Sequence, residues 1–314
     1  MQKIIYSLLI FTTLFLGACT EDAQEQQSAA NKTASSEKAY SDAPEKNTGE
    51  LELAWEISGF KNPESVIYDE VSDILFVSNV NGSPVEKDGN GYISKVLLDG
   101  TVLSNQWVIG LNAPKGLAIY DGTLYVADID TLVVIDIASG TISNSYQVDD
   151  AKFLNDVAVD EDGKVFVSDM LLNRIHCLCD EQFNIWLESP DLENPNGLHV
   201  EGDHLILGAW GVMTDGFATE VPGHLKSISI NDKSITSLGG TPIGNLDGVE
   251  SDGIDGYYVT DWMAGKLYQI NKAGNAKLLL ELEQGMADHE VLLEQRLILL
   301  PMMKNDKVLA YRIK

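Results

Sequence analysis

The sequence predicts an all-β fold, a six-bladed β-propeller in which an N-terminal strand closes the last blade. Three observations predict it. One pattern, a polar residue opening an apolar strand that turns and returns, occurs six times. The copies recur at a period near forty residues, which suits a unit of four short strands. The final copy lacks one strand, and an unassigned strand stands ahead of the first copy.

The clearest copy runs from Phe153 to Asp169. Val157 and Val159 alternate with polar residues, Asp162-Gly163 supplies a tight turn, and Val165-Phe166-Val167 returns. Asn155 stands where the first strand begins. The equivalent residues in the other copies are Glu64, Lys115, Asn196, Asp247 and Asp288. Taken in order, the six are separated by 51, 40, 41, 51 and 41 residues. Each long interval holds an insertion, at 80–92 and 211–223, and without these the period is nearly constant.

The last copy supplies strands near 290–293, 296–300 and 307–313, then stops. An open sheet edge is a liability, and residues 51–57 (Leu-Glu-Leu-Ala-Trp-Glu-Ile) are expected to pair there and close the ring. In such a meander each of the six repeat residues opens an innermost strand and points into the central channel at one face. The loops between second and third strands return to that face, so both insertions should stand over the channel mouth. Trp210, Met213, Phe217, Trp262, Met263 and Met302 are candidates for an apolar mouth; packing between blades is the other reading of them.

Of the 314 residues 44% are hydrophobic, enough for a sizeable core. The formal charge of -27 makes nucleic acid and anionic membrane surfaces poor partners. Lys3 followed by an apolar run at 4–16, too short to span a bilayer, reads as a targeting signal. Its end, Leu16-Gly17-Ala18-Cys19, resembles the bacterial lipobox. That resemblance implies a signal peptide over 1–18 and a lipidated Cys19 as the mature N-terminus, the chain's only membrane contact. Thr20 rather than Asp follows, which by the bacterial sorting rule implies the periplasmic face of the outer membrane or the cell surface. An ordinary signal peptide is the alternative. Residues 19–49 lack a hydrophobic period and read as a flexible tether, leaving 50–314 as the propeller, expected as a monomer.

Two carboxamides, three carboxylates and one lysine thus converge on one axis. Hard oxygen donors from separate blades suit calcium, whereas the softer Cys and His ligands do not recur at this position. Turn formation between blades is the plainer role for Asn and Asp there. The acidic residues ending the second strand of three copies, Asp128, Asp169 and Asp261, are expected around that set together with Asp288.

The patterns Pro63-Glu64-Ser65-Val66, Leu154-Asn155-Asp156-Val157, Pro195-Asn196-Gly197-Leu198 and Leu246-Asp247-Gly248-Val249 resemble the senescence-marker-protein/gluconolactonase family, and are similar to those of paraoxonases and diisopropylfluorophosphatase-type phosphotriesterases. The similarity covers roughly residues 51–314. It implies a catalytic divalent cation, usually calcium, held by Glu64, Asn155, Asn196 and Asp247, with Asp247 as general base or nucleophile. Lys115 departs from that pattern, since paraoxonases tend to carry a histidine there. An ammonium near a divalent cation needs a screening carboxylate, for which Asp288 and Glu64 are the candidates. Lys115 either stabilises a developing oxyanion or makes a metal-free, salt-bridged channel. His289 is a candidate acid or base at the mouth, or a structural histidine. Cys177 and Cys179, two apart on a strand, are expected as buried thiols, although an oxidising compartment would permit a bridge. The expected function is a calcium-dependent hydrolase of small lactones or esters; the rival is a lipid-anchored binding propeller with a structural cation or none.

Overall fold

The computed structural model describes residues 46–314; the signal peptide expected over 1–18, Cys19 and most of the expected tether lie outside them. Six antiparallel meanders follow one another. Blade I comprises strands Pro63–Asp69, Ile74–Asn79, Gly91–Leu97 and Val102–Leu111. Blade II comprises Pro114–Tyr120, Thr123–Asp128, Thr131–Asp136 and Thr141–Gln147, and blade III comprises Leu154–Val159, Val165–Asp169, Arg174–Cys179 and Gln182–Glu188. Blade IV is Pro195–Glu201, His204–Ala209, Leu225–Ser229 and Ile235–Ser237. Blade V is Leu246–Ser251, Gly256–Asp261, Lys266–Asn271 and Ala276–Glu281.

Blade VI holds Glu290–Leu292, Leu297–Met302 and Lys307–Ile313, and Leu51–Ser58 pairs against the last of these as its outer strand. The ring also closes on its inner side. A parallel bridge joins Ser65 to Asp288, and Asp288 N donates to Glu64 O at 3.0 Å. The propeller and its closing strand are as the sequence predicts.

The alternation of side chains along each second strand builds the core. In blade IV, Leu205 and Leu207 pack toward blade III, while Ile206 packs toward blade V. In blade VI, Ile298 and Leu300 face blade V, and Leu299 faces blade I. A strand covered on both faces reads as a continuous apolar run, which explains Leu205-Ile206-Leu207 and Ile298-Leu299-Leu300. Outer strands meet water instead, and Thr141–Gln147 is exposed along most of its length.

Two expectations are corrected. The tether does not run to 49: Lys46–Asn47 pairs with Leu280 and Glu281 as a fifth strand on blade V, and Thr48 N donates to Leu279 O at 3.1 Å. Backbone pairing with that edge fixes residues whose side chains bury little. Cys177 and Cys179 are not thiols but are joined as a disulfide, their Cα atoms 5.4 Å apart. Two residues apart on one strand, they project to the same side, and their Cα separation lies within the range a bridge spans.

Candidate active site

Each inner strand in blades I to V carries an irregularity at the same place. The register shifts between Pro63 and Val66, Pro114 and Leu117, Leu154 and Val157, Pro195 and Leu198, and Leu246 and Val249. Each shift encloses the repeat residue and the one after it. A bulge re-aims a side chain that regular pleating would direct into a blade interface. Here it turns Glu64, Lys115, Asn155, Asn196 and Asp247 onto the floor of one cavity of about 280 Å³, and all five are buried. Three of the bulges follow a proline that begins its strand, where the missing N–H costs no ladder bond.

The residue after each repeat position forms a second layer: Ser65, Gly116, Asp156, Gly197, Gly248 and His289. Bulged N–H groups are satisfied there by side chains. Ser65 N donates to Ser78 Oγ at 2.9 Å, Asp156 N to Ser168 Oγ at 2.9 Å, and Gly248 N to Thr260 Oγ1 at 2.8 Å. Two glycines answer to close approach: a Cβ at Gly116 would lie 2.3 Å from Asp156 Oδ1, and one at Gly197 1.8 Å from Asp247 O.

On the floor, two buried oxygens have no partner, Glu64 Oε2 and Asn196 Oδ1. Asn196 Nδ2 donates to Leu246 O at 3.0 Å, which fixes the amide. Burial raises the Glu64 carboxyl well above its usual range, and the Asp247 and Asp288 carboxylates add to the rise against the Lys115 ammonium. Burial likewise raises Asp247 well up, with Asp288 adding and a hydrogen bond with Asn196 opposing. Burial lowers Lys115 to about 8, against the pull of Glu64 and Asp128. Its Nζ donates to Ala113 O at 3.0 Å and lies 4.5 Å from the centroid of the Phe153 ring. Of the two carboxylates expected to screen it, Glu64 lines the cavity with Lys115 and Asp288 does not.

The other predicted residues occupy different places. Asp288 is buried but does not line the cavity; it accepts from Ser65 Oγ at 2.5 Å, and burial raises it to about 7. His289 is buried in the second layer, with both ring nitrogens unpartnered and its pKa pushed down to about 4 by burial, and it does not reach the cavity. Asp128, Asp169 and Asp261 hold loops. Asp128 accepts from Asn112 N and Ala113 N at 2.8 and 2.7 Å, Asp169 from Lys152 N and Phe153 N at 3.1 Å each, and Asp261 from Ala264 N at 3.0 Å. Asn79 plays the same part in blade I, accepting from Lys61 N at 3.0 Å.

The wall follows a second repeat position, directly after each second strand. Met170, Trp210, Trp262 and Met303 sit there and line the cavity. Met302, the residue the sequence suggested, packs between blades one position earlier. Met263 and Met213 do not line the cavity either, although Met213 packs against the apolar cluster of Phe153, Met170 and Trp210. The insertions both reach the mouth: Pro84 comes from the first, and Phe217 from the tip of the hairpin Gly211–Asp215/Ala218–Pro222. Phe153, two residues before Asn155, escaped the sequence reading although its distance from the repeat position could have flagged it.

Among the described residues, no group of three or more His, Cys, Asp or Glu is arranged to hold a metal ion. The floor offers instead two carboxylates and two carboxamides, and its two unpartnered oxygens suit a hard cation. The residues fit such an ion, with the Lys115 ammonium opposing it.

No protein-family model matches this sequence, and no curated protein matches it. Its fold is similar to several solved structures. A gluconolactonase from Xanthomonas campestris superposes with a TM-score of 0.62 at 14% identity, over 88% of this chain and 96% of the other. Virginiamycin B lyase from Staphylococcus aureus gives 0.59 at 14% identity, over 84% and 100%. The WD40 domain of Neurospora crassa Pan2 gives 0.54 at 12% identity, over 84% and 95%. At these identities the likeness is one of fold.

Proposed function

We propose that this propeller is a hydrolase of small esters or lactones that works with a divalent cation, most simply calcium. The observation carrying the proposal is the pair of buried, unpartnered oxygens, Glu64 Oε2 and Asn196 Oδ1, on a floor shared with Asn155 and Asp247. A buried acceptor without a partner costs roughly 1–3 kcal/mol, a penalty a ligand can relieve. Glu64, Asn155, Asn196 and Asp247 would hold the ion. When bound, a divalent cation supplies Lewis acidity toward a carbonyl oxygen.

The chain's own groups perform the remaining work. Asp247, its carboxyl raised by burial, is a floor group placed to exchange a proton with water. It takes a proton from water as the water oxygen adds to the acyl carbon, and returns it to the departing alkoxide as the C–O bond breaks. Lys115, lowered to about 8 and so largely protonated at neutral pH, donates toward the developing oxyanion. The aromatic wall keeps bulk water from the floor, which strengthens both interactions.

The test combines titration of calcium with turnover of an ester and lactone panel, with and without chelator. Saturable binding, turnover that chelator abolishes, and loss of turnover in Asp247→Asn are expected. Turnover that survives chelation overturns the metal assignment. A second reading, a binding propeller without chemistry, is favoured by Lys115, whose ammonium offsets part of the floor's charge; ligand binding with no turnover across the panel would select it. We further propose that the protein is exported and anchored through Cys19, supported by Leu16-Gly17-Ala18-Cys19. Incorporation of labelled palmitate that Cys19→Ser abolishes is the check.

A further inference from the structure

The cavity has two chemically distinct parts. Five of the six repeat residues, all but Asp288, lie on the floor, and the wall is made by Phe153, Met170, Trp210, Phe217, Trp262 and Met303. The aromatic members meet at tilted or edge-on angles, and two of them also carry an ammonium against a ring, Lys115 Nζ over Phe153 at 4.5 Å and Lys304 Nζ over Trp262 at 5.9 Å. The Trp210 and Trp262 centroids are 6.0 Å apart at 50°, those of Phe153 and Phe217 5.5 Å apart at 59°, and those of Trp210 and Phe217 6.3 Å apart at 74°. Such arrangements are favourable between rings, and a flat ligand ring can extend them.

Polar atoms around the mouth are engaged with the protein. Trp210 Nε1 donates to Phe217 O at 2.9 Å, which pins the hairpin tip over the wall. Asn62 donates through Nδ2 to Met303 O and accepts through Oδ1 from Gly82 N, both at 3.2 Å. Lys304 Nζ donates to Gln284 Oε1 at 2.9 Å. A polyhydroxylated ligand rising from the floor would exchange water for this wall and lose hydrogen bonds. Each unpaired hydroxyl costs about 1–3 kcal/mol on protein scales, enough to exclude a ligand carrying several.

We propose that the wall is an aromatic clamp that selects substrates with a flat apolar ring, such as aryl esters and aromatic lactones, and rejects sugar lactones. Phe217 is carried by an exposed two-stranded hairpin; its ring meets Trp210 edge-on, and the Trp210 Nε1 hydrogen bond to Phe217 O holds the tip there. The gluconolactonase that shares the fold is thus no guide to this chain's substrate. For turnover the proposal rests on the hydrolase reading; for binding it does not.

The experiment separates the two. Full-length protein, with and without calcium, is titrated calorimetrically with 2-naphthol and with D-glucono-1,5-lactone, and turnover is measured on 2-naphthyl acetate and on the same sugar lactone. Saturable 2-naphthol binding is expected, weakened about tenfold by Phe217→Ala, the upper end of what one aromatic contact contributes. Calcium affinity should be unchanged in that variant, and the sugar lactone should neither bind nor turn over. Trp262→Ala should weaken 2-naphthol similarly, from a blade that does not carry the hairpin. If 2-naphthol binds in this way and no ester turns over, the hydrolase reading fails and the clamp stands. Equal kcat/KM for both substrates, or 2-naphthol binding unaffected by both substitutions, overturns the clamp and leaves the hydrolase reading intact.

Discussion

Asp156 Oδ2 accepts a hydrogen bond from Leu198 N at 2.7 Å, which ties the inner strand of blade III to that of blade IV beneath the cavity floor. Its Oδ1 accepts from Val157 N at 2.7 Å, and Gly116 of blade II lies against that atom. One buried carboxylate therefore sets three neighbouring bulges, those presenting Lys115, Asn155 and Asn196.

Gly116→Ala should test this seat directly. The added methyl would meet Asp156 Oδ1 at 2.3 Å and two backbone atoms, Asp156 Cα at 2.5 Å and Asn155 O at 2.7 Å, which cannot swing aside. Overpacking of this kind costs about 1–3 kcal/mol. Urea unfolding should show a lowered midpoint at unchanged slope, and calcium titration a weaker site.

Removing the ammonium should strengthen the cation. Lys115 contributes a positive charge to a buried floor, where charge interactions are poorly screened. Lys115→Met should raise calcium affinity by about tenfold, or 1.4 kcal/mol, while lowering turnover. The split matters: unchanged affinity in calorimetry would show that Lys115 and the ion do not share the floor.

Calcium binding should release protons and tighten as pH rises. Burial and mutual repulsion hold protons on Glu64 and Asp247 well above the usual carboxyl range, and an ion must displace them. Titrations from pH 5 to 8 should show affinity increasing by up to about tenfold per pH unit for each proton displaced. Heats that depend on buffer ionisation enthalpy are the independent check.

The stability of the chelated protein should move the other way through Asp288. Its folded value, about 7, exceeds an unfolded value of about 3.9. Its contribution is therefore complete below about pH 4 and is lost as pH rises through 7. Asp288→Asn should flatten that part of the melting-temperature profile. Calcium should raise the melting temperature more at pH 8 than at pH 5.

Asp169 should prove to be a positioning residue. Asp169→Ala leaves the N–H groups of Lys152 and Phe153 without their acceptor, at about 1–3 kcal/mol where each is buried. The loop carrying Phe153 should loosen, raising KM for an aryl ester more than it lowers kcat. Asp169→Asn, which keeps one acceptor oxygen, should recover much of the loss.

The repeat, the number of blades, the closing strand and the ring of polar residues all follow from the sequence, because they rest on periodicity and on strand alternation, which are local properties. Glu64, Asn155, Asn196 and Asp247 were legible as one set for that reason. Tertiary structure alone decided where each side chain ends up. The bulges, set by neighbours such as Asp156 and Ser168, turned five repeat residues into the cavity and left Asp288 and His289 beneath it. The same bulges put Glu64 but not Asp288 in the cavity with Lys115, and a one-residue step placed Met303 rather than Met302 in the wall. Pattern announces which residues belong together; which atoms meet depends on bulges and close approaches between strands that lie forty or more residues apart.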